Sequence, residues 1–146
     1  MKKIAVLGGG QVGSSLAKIL TDDGNDITLV DTNLSVLEDL QEDNDIKTIH
    51  GNASSPSILE QAEVKDCDIL IATTASDEVN LVSCHLAKKM FNVPTVIARL
   101  RNSEFQVSTS GFDLDLFSID SIISPSQLVT DSVSYTHLTL PTTKQV

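Results

Sequence analysis

Residues 4–13 read IAVLGGGQVG, and this stretch decides the fold. A short apolar run is followed at once by glycines with GxGxxG spacing, and residues 14–20, SSLAKIL, continue with the apolar periodicity of a helix. Residues 27–30, ITLV, form a second apolar run, which ends at Asp31. A strand, a glycine turn, a helix, a second strand and a terminal acid are together the parts of a dinucleotide-binding βαβ unit.

Each glycine of the motif has its own physical role in such a unit. Gly8 lets the strand turn sharply into the helix, and Gly10 lets a pyrophosphate approach the backbone closely. Gly13 lets the helix pack close to the sheet. The first turn of a helix has free N–H groups and the positive end of the helix dipole, so phosphates are expected to bind at the start of this helix.

The acid at the end of the second strand indicates the kind of dinucleotide. Asp31 lies 18 residues after Gly13, close to the spacing of about 20 expected for the acid that binds ribose hydroxyls. A carboxylate there favours a free 2′-hydroxyl over a 2′-phosphate, which predicts NAD rather than NADP. Two alternatives stay open: the glycines form a turn in another kind of α/β protein, or Asp31 only caps the approach to the next helix.

The bulk composition excludes several classes of protein. The 146 residues fit one domain, and 40% of them are hydrophobic. There are 20 acidic and 10 basic residues, for a formal net charge of −10. No basic patch is present, so nucleic acid is not expected as a partner. Because no apolar run approaches the ~20 residues needed to cross a bilayer, we expect a cytoplasmic protein that does not insert into a membrane.

The cysteines and histidines predict neither a disulfide framework nor a metal site. Cys67 and Cys84 both lie in apolar segments, which indicates buried free thiols. His50, His85 and His137 share no ligand spacing. The spacing of residues indicates no Ser-His-acid or Cys-His arrangement either, so no catalytic residue is assigned.

The rest of the chain alternates predicted strands with predicted helices. Asn33 is placed as the cap of a helix with Leu34, Leu37 and Leu40 as its inner positions, and Ser55 as the cap of a short helix beginning at Pro56. The other predicted helices cover residues 77–91, 102–108 and 124–133, and the other predicted strands cover residues 45–50, 67–73, 95–99 and 114–119.

This alternation predicts an α/β protein, a three-layer Rossmann fold with a mainly parallel, doubly wound, six-stranded sheet. The glycine turn, Asp31, Gly51, the loop 73–77 and Arg99 all fall at the carboxyl ends of strands. Ligands bind at that edge of such sheets, near the point where the strand order reverses. We therefore expect these residues to surround one cleft.

The end of the chain departs from the pattern. Residues 135–146 are threonine-rich and have no helical period, so we predict a domain over residues 1–134 and a linker or non-native tail over residues 135–146. The last predicted helix has an apolar face made of Ile122, Ile123, Leu128 and Val129. That face either forms a dimer contact or packs back on its own sheet.

Several motifs are similar to those of the RCK (KTN) domains, cytosolic regulators of potassium transport. They are the segments 5–13 (AVLGGGQVG), 26–31 (DITLVD), 51–53 (GNA), 76–80 (SDEVN) and 122–125 (IISP). The Gln-Val pair inside the glycine motif and the Asp-Glu-x-Asn segment are more specific than the glycines themselves. The likeness extends over most of the chain.

The resemblance implies a nucleotide-sensing regulatory domain, not an enzyme. Its cofactor is expected to be NAD or NADH, with ATP or ADP also possible. Its expected partners are a membrane-embedded potassium transporter subunit and further copies of the chain, in a dimer or a larger assembly at the inner face of the cell membrane. Full-length members of the family carry more chain, so this sequence is expected to be a first nucleotide-binding domain.

The resemblance also assigns positions to the cofactor. They are Gly8, Gly9, Gly10, Gln11, Val12 and Gly13 at the phosphates, Asp31 and Thr32 at the adenosine ribose, Gly51, Asn52 and Ala53 beside the adenine, and Thr73, Thr74, Ala75, Asp77 and Arg99 towards the far end. Asp77, Glu78 and Asn80 either contact ligand or a neighbouring subunit, or cap the long helix. Arg99 either binds phosphate or forms a surface ion pair, and Arg101 is expected to be structural or at an interface.

A second functional hypothesis is an oxidoreductase fragment that lacks its substrate domain. A dehydrogenase needs a proton-transfer group near the nicotinamide. After the fourth strand the sequence offers Thr73, Thr74 and Ser76, with no obvious Lys, Tyr or His. This argues against the enzyme and favours a ligand-operated conformational switch.

Overall fold

The computed structural model describes residues 1–43, 45–105 and 114–123, and its centre is a six-stranded parallel sheet. The strands are β1 (Lys3–Leu7), β2 (Asp26–Asp31), β3 (Lys47–His50), β4 (Ile69–Ala72), β5 (Thr95–Arg99) and β6 (Ser121–Ile123). Their order in the sheet is β3-β2-β1-β4-β5-β6, and every neighbouring pair is parallel. This confirms the predicted doubly wound sheet, with its order reversing between β1 and β4.

Helices cover both faces of the sheet. They are α1 (Gln11–Asp22), α2 (Leu34–Asp43), α3 (Pro56–Gln61) and α4 (Asp77–Lys89), with single 3₁₀ turns at Val64–Asp66, Ser103–Phe105 and Leu114–Phe117. Along β1 the side chains alternate between two cores. Ile4 and Val6 pack with α1 and α2, whereas Ala5 and Leu7 pack with α3 and α4. The result is the three-layer arrangement expected from the alternating sequence.

The sixth strand was misplaced by the sequence interpretation. Residues 114–119 were expected to be extended, but Leu114–Phe117 form a 3₁₀ turn and β6 lies at Ser121–Ile123. Ser118 adopts a left-handed φ of 60°, which ends any extended run at that point. Ile122 and Ile123 therefore belong to the sheet, and they do not begin a helical contact face.

Two predictions about the first turns of helices are confirmed only in part. Leu34 was expected to face inward with Leu37 and Leu40, but it is 53% exposed at the start of α2, while the other two leucines are buried. Ser55 is the N-cap of α3 and Pro56 is its first residue, as predicted, but the Ser55 side chain makes no capping hydrogen bond. The first turn of a helix has the least constrained side chains, so periodicity is a weak guide there.

Some predictions fall outside the described residues. These are the helix over residues 124–133, the tail over residues 135–146 and the second half of the segment 102–108. Among the residues whose structure is given, no helix is both long and apolar enough to cross a membrane.

The two cysteines are free and buried, as the sequence predicted. Burial raises the pKa of the Cys67 thiol to about 11 and raises that of Cys84 further.

Only the thiolate reacts with alkylating agents. We expect Cys67 in the folded chain to react with iodoacetamide at pH 8 about 100-fold more slowly than in urea, since far less thiolate is present. Peptide mass spectrometry would measure both rates, and labelling of the folded chain at the unfolded rate would contradict this burial.

Candidate ligand-binding site

A cleft of about 590 Å³ opens at the carboxyl edge of the sheet, where β1 and β4 lie side by side. Loops after five strands form its wall. The lining residues are Gly8, Gly10, Gln11, Val12, Val30, Asp31, Thr32, Gly51, Asn52, Ala53, Thr73, Thr74, Ala75, Ser76, Val79, Arg99 and Arg101. This is the edge and the switch point at which doubly wound sheets bind ligands.

The glycine turn leaves room for a ligand at the start of α1. Gly8 has a φ of +103°, and a Cβ there would lie 2.8 Å from the backbone nitrogen of Thr74. A Cβ on Gly10 would meet nothing within 4 Å, so the space over Gly10 is open. Gly10 is also the N-cap of α1 and offers no side-chain acceptor. The N–H groups of the first turn, at Gln11 and Val12, are thus available to an anion.

Gly13 lies behind the cleft and sets how closely α1 approaches the sheet. A Cβ at Gly13 would lie 1.7 Å from the carbonyl oxygen of Gly8 and 2.8 Å from Thr73 Oγ1. Thr73 Oγ1 in turn donates a hydrogen bond to the carbonyl oxygen of Leu7, at 3.0 Å. The glycine turn is therefore held between α1 and the end of β4.

Asp31 connects the end of β2 to the glycine turn. Its Oδ2 accepts a hydrogen bond from the N–H of Gly9 at 2.5 Å, and its Oδ1 accepts one from the N–H of Asn33 at 2.7 Å. The cap of α2 is Asn33, whose Oδ1 accepts from the N–H of Ser35 at 3.0 Å. A carboxylate has about four acceptor sites, so Asp31 can still accept hydrogen bonds from hydroxyl groups in the cleft.

Two arginines supply positive charge at the opposite side of the cleft. Among the described residues no carboxylate lies within ion-pair distance of Arg99, and its buried Nε has no hydrogen-bond partner. Burial, with a smaller effect of Arg101, lowers the pKa of Arg99, and Asp77 opposes this. A guanidinium nevertheless stays charged at neutral pH. An unpartnered cationic donor at the wall suits a phosphate or another acceptor on a ligand.

Asp77 lies outside the cleft and binds backbone instead. Its carboxylate accepts hydrogen bonds from the N–H groups of Arg101 and Asn102, at 3.0 and 2.8 Å. The cap of α4 is Ser76, whose Oγ accepts from the N–H of Val79 at 3.1 Å. The carboxylate of Asp77 therefore holds the segment after β5 against the start of α4.

The structure brings together most of the residues that the sequence proposed for the ligand. All of them line the cleft except Gly9, Gly13 and Asp77, which support its wall from behind. Ser76 also lines the cleft, as expected for the loop 73–77. Three further lining residues were not expected there: Val30 and Val79 were not considered, and Arg101 was expected to be structural or at an interface. Val79 follows the Ser76 cap by three residues, so helix spacing was the signal that could have identified it. Alternation gave no such signal for Val30, because adjacent residues of a strand point to opposite faces.

The two histidines in the described residues lie apart from the cleft, and each has its own local contact. His50 Nε2 lies 2.9 Å from the carbonyl oxygen of Thr32, and the ring of His85 packs edge-on against Phe117. In the described part of the chain, no group of three or more His, Cys, Asp or Glu residues could hold a metal ion.

The strand order and the glycine turn at the end of β1 define the chain as a Rossmann-type α/β domain. The comparison with protein families gives a narrower assignment. The family model described as the TrkA-N domain matches residues 4–125. The chain belongs to the TrkA-N domain family.

A curated relative agrees with this assignment, and solved structures share the fold. The Trk system potassium uptake protein TrkA of Haemophilus influenzae is 46% identical over 133 residues, which are 90% of this chain and 29% of the relative. The chain thus spans less than a third of that relative's length. The TrkA-N domain of the inner membrane protein ybaL from Escherichia coli has a TM-score of 0.74 at 19% identity and covers 95% of this chain and 96% of its own.

A structure described as the GsuK channel bound to NAD has the same fold. Its TM-score is 0.69 at 18% identity, over 84% of this chain and 21% of the GsuK chain. At that identity the likeness concerns the fold only.

Proposed function

We propose that this chain is the NAD(H)-binding regulatory domain of a potassium uptake system, in which the bound nucleotide acts as a signal and is not consumed. The observation that carries the proposal is the meeting of the glycine turn and the Asp31 carboxylate in one cleft at the switch point of the sheet. Phosphates would bind at the N–H groups of the first turn of α1, and the adenosine ribose at Asp31.

The extent of the cleft supports a dinucleotide over a mononucleotide. Asp31 and the loop 51–53 lie beside β2 and β3, whereas Thr74 and Arg99 lie beyond β1 at β4 and β5. A Rossmann sheet binds one nucleotide with each half, across the switch point. NAD or NADH would occupy both halves, while ATP or ADP would leave the β4–β5 side partly empty.

The chemistry of the lining supports a binding role over catalysis. Within the described residues, the cleft is lined by glycines, hydroxyls, amides, aliphatic groups, one carboxylate and two guanidiniums. No lysine, tyrosine, histidine or cysteine from that part of the chain reaches it to serve in proton transfer. We therefore favour a non-enzymatic switch over the oxidoreductase hypothesis.

The partner is inferred from the family. Relatives named as potassium uptake proteins point to a membrane-embedded potassium transporter subunit, and we propose that this domain acts on it as a homo-oligomer at the cytoplasmic face of the membrane. Ligand binding would change transport only by favouring one arrangement of the paired domains over another. The ligand must therefore bind the two arrangements of the domains with different affinities.

Replacing Asp31 with alanine tests the assignment of the ribose site. The variant loses a charged acceptor for ribose hydroxyls and the hydrogen bond to the N–H of Gly9. We expect the affinity for NADH, measured by calorimetry, to fall by a factor of about 10 to 100. The wild-type chain should also bind NADH without oxidising it in the presence of aldehydes, and it should not reduce NAD in the presence of hydroxy acids.

Asn33→Ala is the matched control, since it removes the cap of α2 and leaves the Asp31 carboxylate in place. Its melting temperature should fall, and its NADH affinity should stay within about twofold of wild type. Equal losses of affinity in both variants would mean that Asp31 affects binding only by stabilising the start of α2. Turnover by the wild-type chain would restore the enzyme hypothesis.

A further inference from the structure

Helix α4 carries polar side chains at positions 77, 80 and 83, which share one face because they are three residues apart. Each of them bonds to a different backbone segment of the cleft wall. Asp77 holds the N–H groups after β5, Asn80 holds the loop after β4, and Ser83 contacts the loop after β3. One helix face therefore fastens three of the segments that surround the cleft.

Asn80 joins the loop after β4 to the end of β5. It is fully buried, and its Oδ1 accepts hydrogen bonds from the N–H and the hydroxyl of Thr74, at 2.9 and 2.7 Å. Its Nδ2 donates to the carbonyl oxygens of Thr74 and Arg99, at 3.1 and 2.8 Å. All the hydrogen-bonding capacity of the amide is thus used to hold two cleft-lining residues at a set separation.

Ser83 performs the corresponding task on the other side of the cleft. It is also fully buried, and its Oγ lies 3.0 Å from the carbonyl oxygen of Ala53 and 2.6 Å from that of Val79. The second contact lies within α4 itself, whereas the first spans 30 residues of sequence. The loop that contains Ala53 is therefore tied directly to α4.

These two side chains serve different halves of the ligand. Ala53 lies in the loop after β3, on the side where the adenosine is proposed to bind. Thr74 and Arg99 lie beyond β1, on the side of the second nucleotide. Neither Asn80 nor Ser83 lines the cleft, so each acts on the ligand only through the residues it holds.

We propose that Asn80 and Ser83 are positioning residues that separately set the two halves of the dinucleotide site, Asn80 the half beyond the phosphates and Ser83 the adenosine half. The proposal rests on the proposed function.

The test compares NADH with AMP, which fills the adenosine half alone. In Asn80→Ala we expect the affinity for NADH to fall by about tenfold and the affinity for AMP to stay within about twofold of wild type. Ser83→Ala removes an equally buried group one turn further along the same helix, and should weaken both ligands by a similar factor. The ratio of the two affinities is the readout, because a general loss of stability would not change it.

Outcomes that contradict the proposal are distinct from failure of the proposed function. If the wild-type chain binds NADH and AMP but Asn80→Ala weakens both equally, the positioning role of Asn80 is wrong and the nucleotide site stands. If Ser83→Ala changes the ratio, the assignment of halves is wrong. If the wild-type chain binds neither ligand, the proposed function is wrong, and this inference with it.

Folding of the variants is checked by circular dichroism before binding is measured. The wild-type chain provides a further check by NMR, which tests the proposal even if Asn80→Ala does not fold. NADH should shift the side-chain amide signals of Asn80 and AMP should not, and an equal response to both ligands would contradict the proposal.

Discussion

Binding of NADH is expected to be abolished when Gly10 is replaced by valine, while the fold is retained. A Cβ at Gly10 meets nothing within 4 Å, and its backbone is extended, with φ of −70° and ψ of −166°. Valine adopts that conformation readily. Its branched side chain would occupy the space in which a pyrophosphate must approach the N–H groups of α1. Calorimetry should detect no binding at ligand concentrations about 100-fold above the wild-type Kd.

The control for this variant places the same side chain elsewhere on α1. Ser15 is exposed on the first turns of the helix and does not line the cleft. Ser15→Val should therefore bind NADH with nearly wild-type affinity. Both variants should give the circular dichroism spectrum of the wild type. Retention of wild-type affinity by Gly10→Val would mean that the phosphates bind away from the glycine turn.

The largest loss of stability is expected at Gly13, where alanine adds only one methyl group. The new Cβ would lie 1.7 Å from the carbonyl oxygen of Gly8, so α1 must move away from the end of β1 and disturb the contact with Thr73. Overpacking a closely packed site costs about 1–3 kcal/mol and occasionally more. The contact here involves backbone, which cannot rotate away, so we expect the free energy of unfolding to fall by about 3 kcal/mol or more.

Urea denaturation of Gly13→Ala would measure this loss, with Gly10→Ala as the matched variant. Both substitutions add one methyl group near the start of α1, but the Gly10 Cβ points into open space. The stability of Gly10→Ala should change by less than about 1 kcal/mol. If Gly13→Ala were equally stable, α1 would not be held against the glycine turn as closely as these distances require.

Most of the fold followed from periodicity alone. Apolar runs such as residues 4–7 and 27–30 became β1 and β2 because strands buried on both faces need unbroken apolar sequence. Right-handed crossovers then favour a doubly wound sheet whose strand order reverses, but the full order β3-β2-β1-β4-β5-β6 comes from the structure. The error at residues 114–119 came from a segment too short to have a clear period, in which the backbone conformation of Ser118 ended the extended run.

The candidate site was predictable where backbone chemistry decides it. The motif specifies a sharp turn at Gly8, an open approach for a ligand at Gly10 and a close packing contact at Gly13. It also specifies a carboxylate at the end of a strand, which is Asp31. Those are local requirements, so the spacing of residues in the sequence expresses them directly.

The contacts behind the cleft could not be predicted in the same way. Asp77 was proposed for the ligand, but its carboxylate binds the N–H groups of Arg101 and Asn102. Such contacts join segments far apart in sequence, and they depend on which loops the parallel strands bring to one edge.

The sequence by itself determined the Rossmann class, the position of the glycine turn and the acid opposite it, because these depend on spacing within one βαβ unit. The tertiary structure alone decided that Asn80 and Ser83 hold the loops at residues 74 and 53. The sequence had offered Asn80 as a contact to ligand or a neighbouring subunit or as a helix cap, and it gave no role to Ser83. The physical reason is that a buried polar side chain must find a hydrogen-bond partner, and only the packed fold decides which backbone group lies within reach.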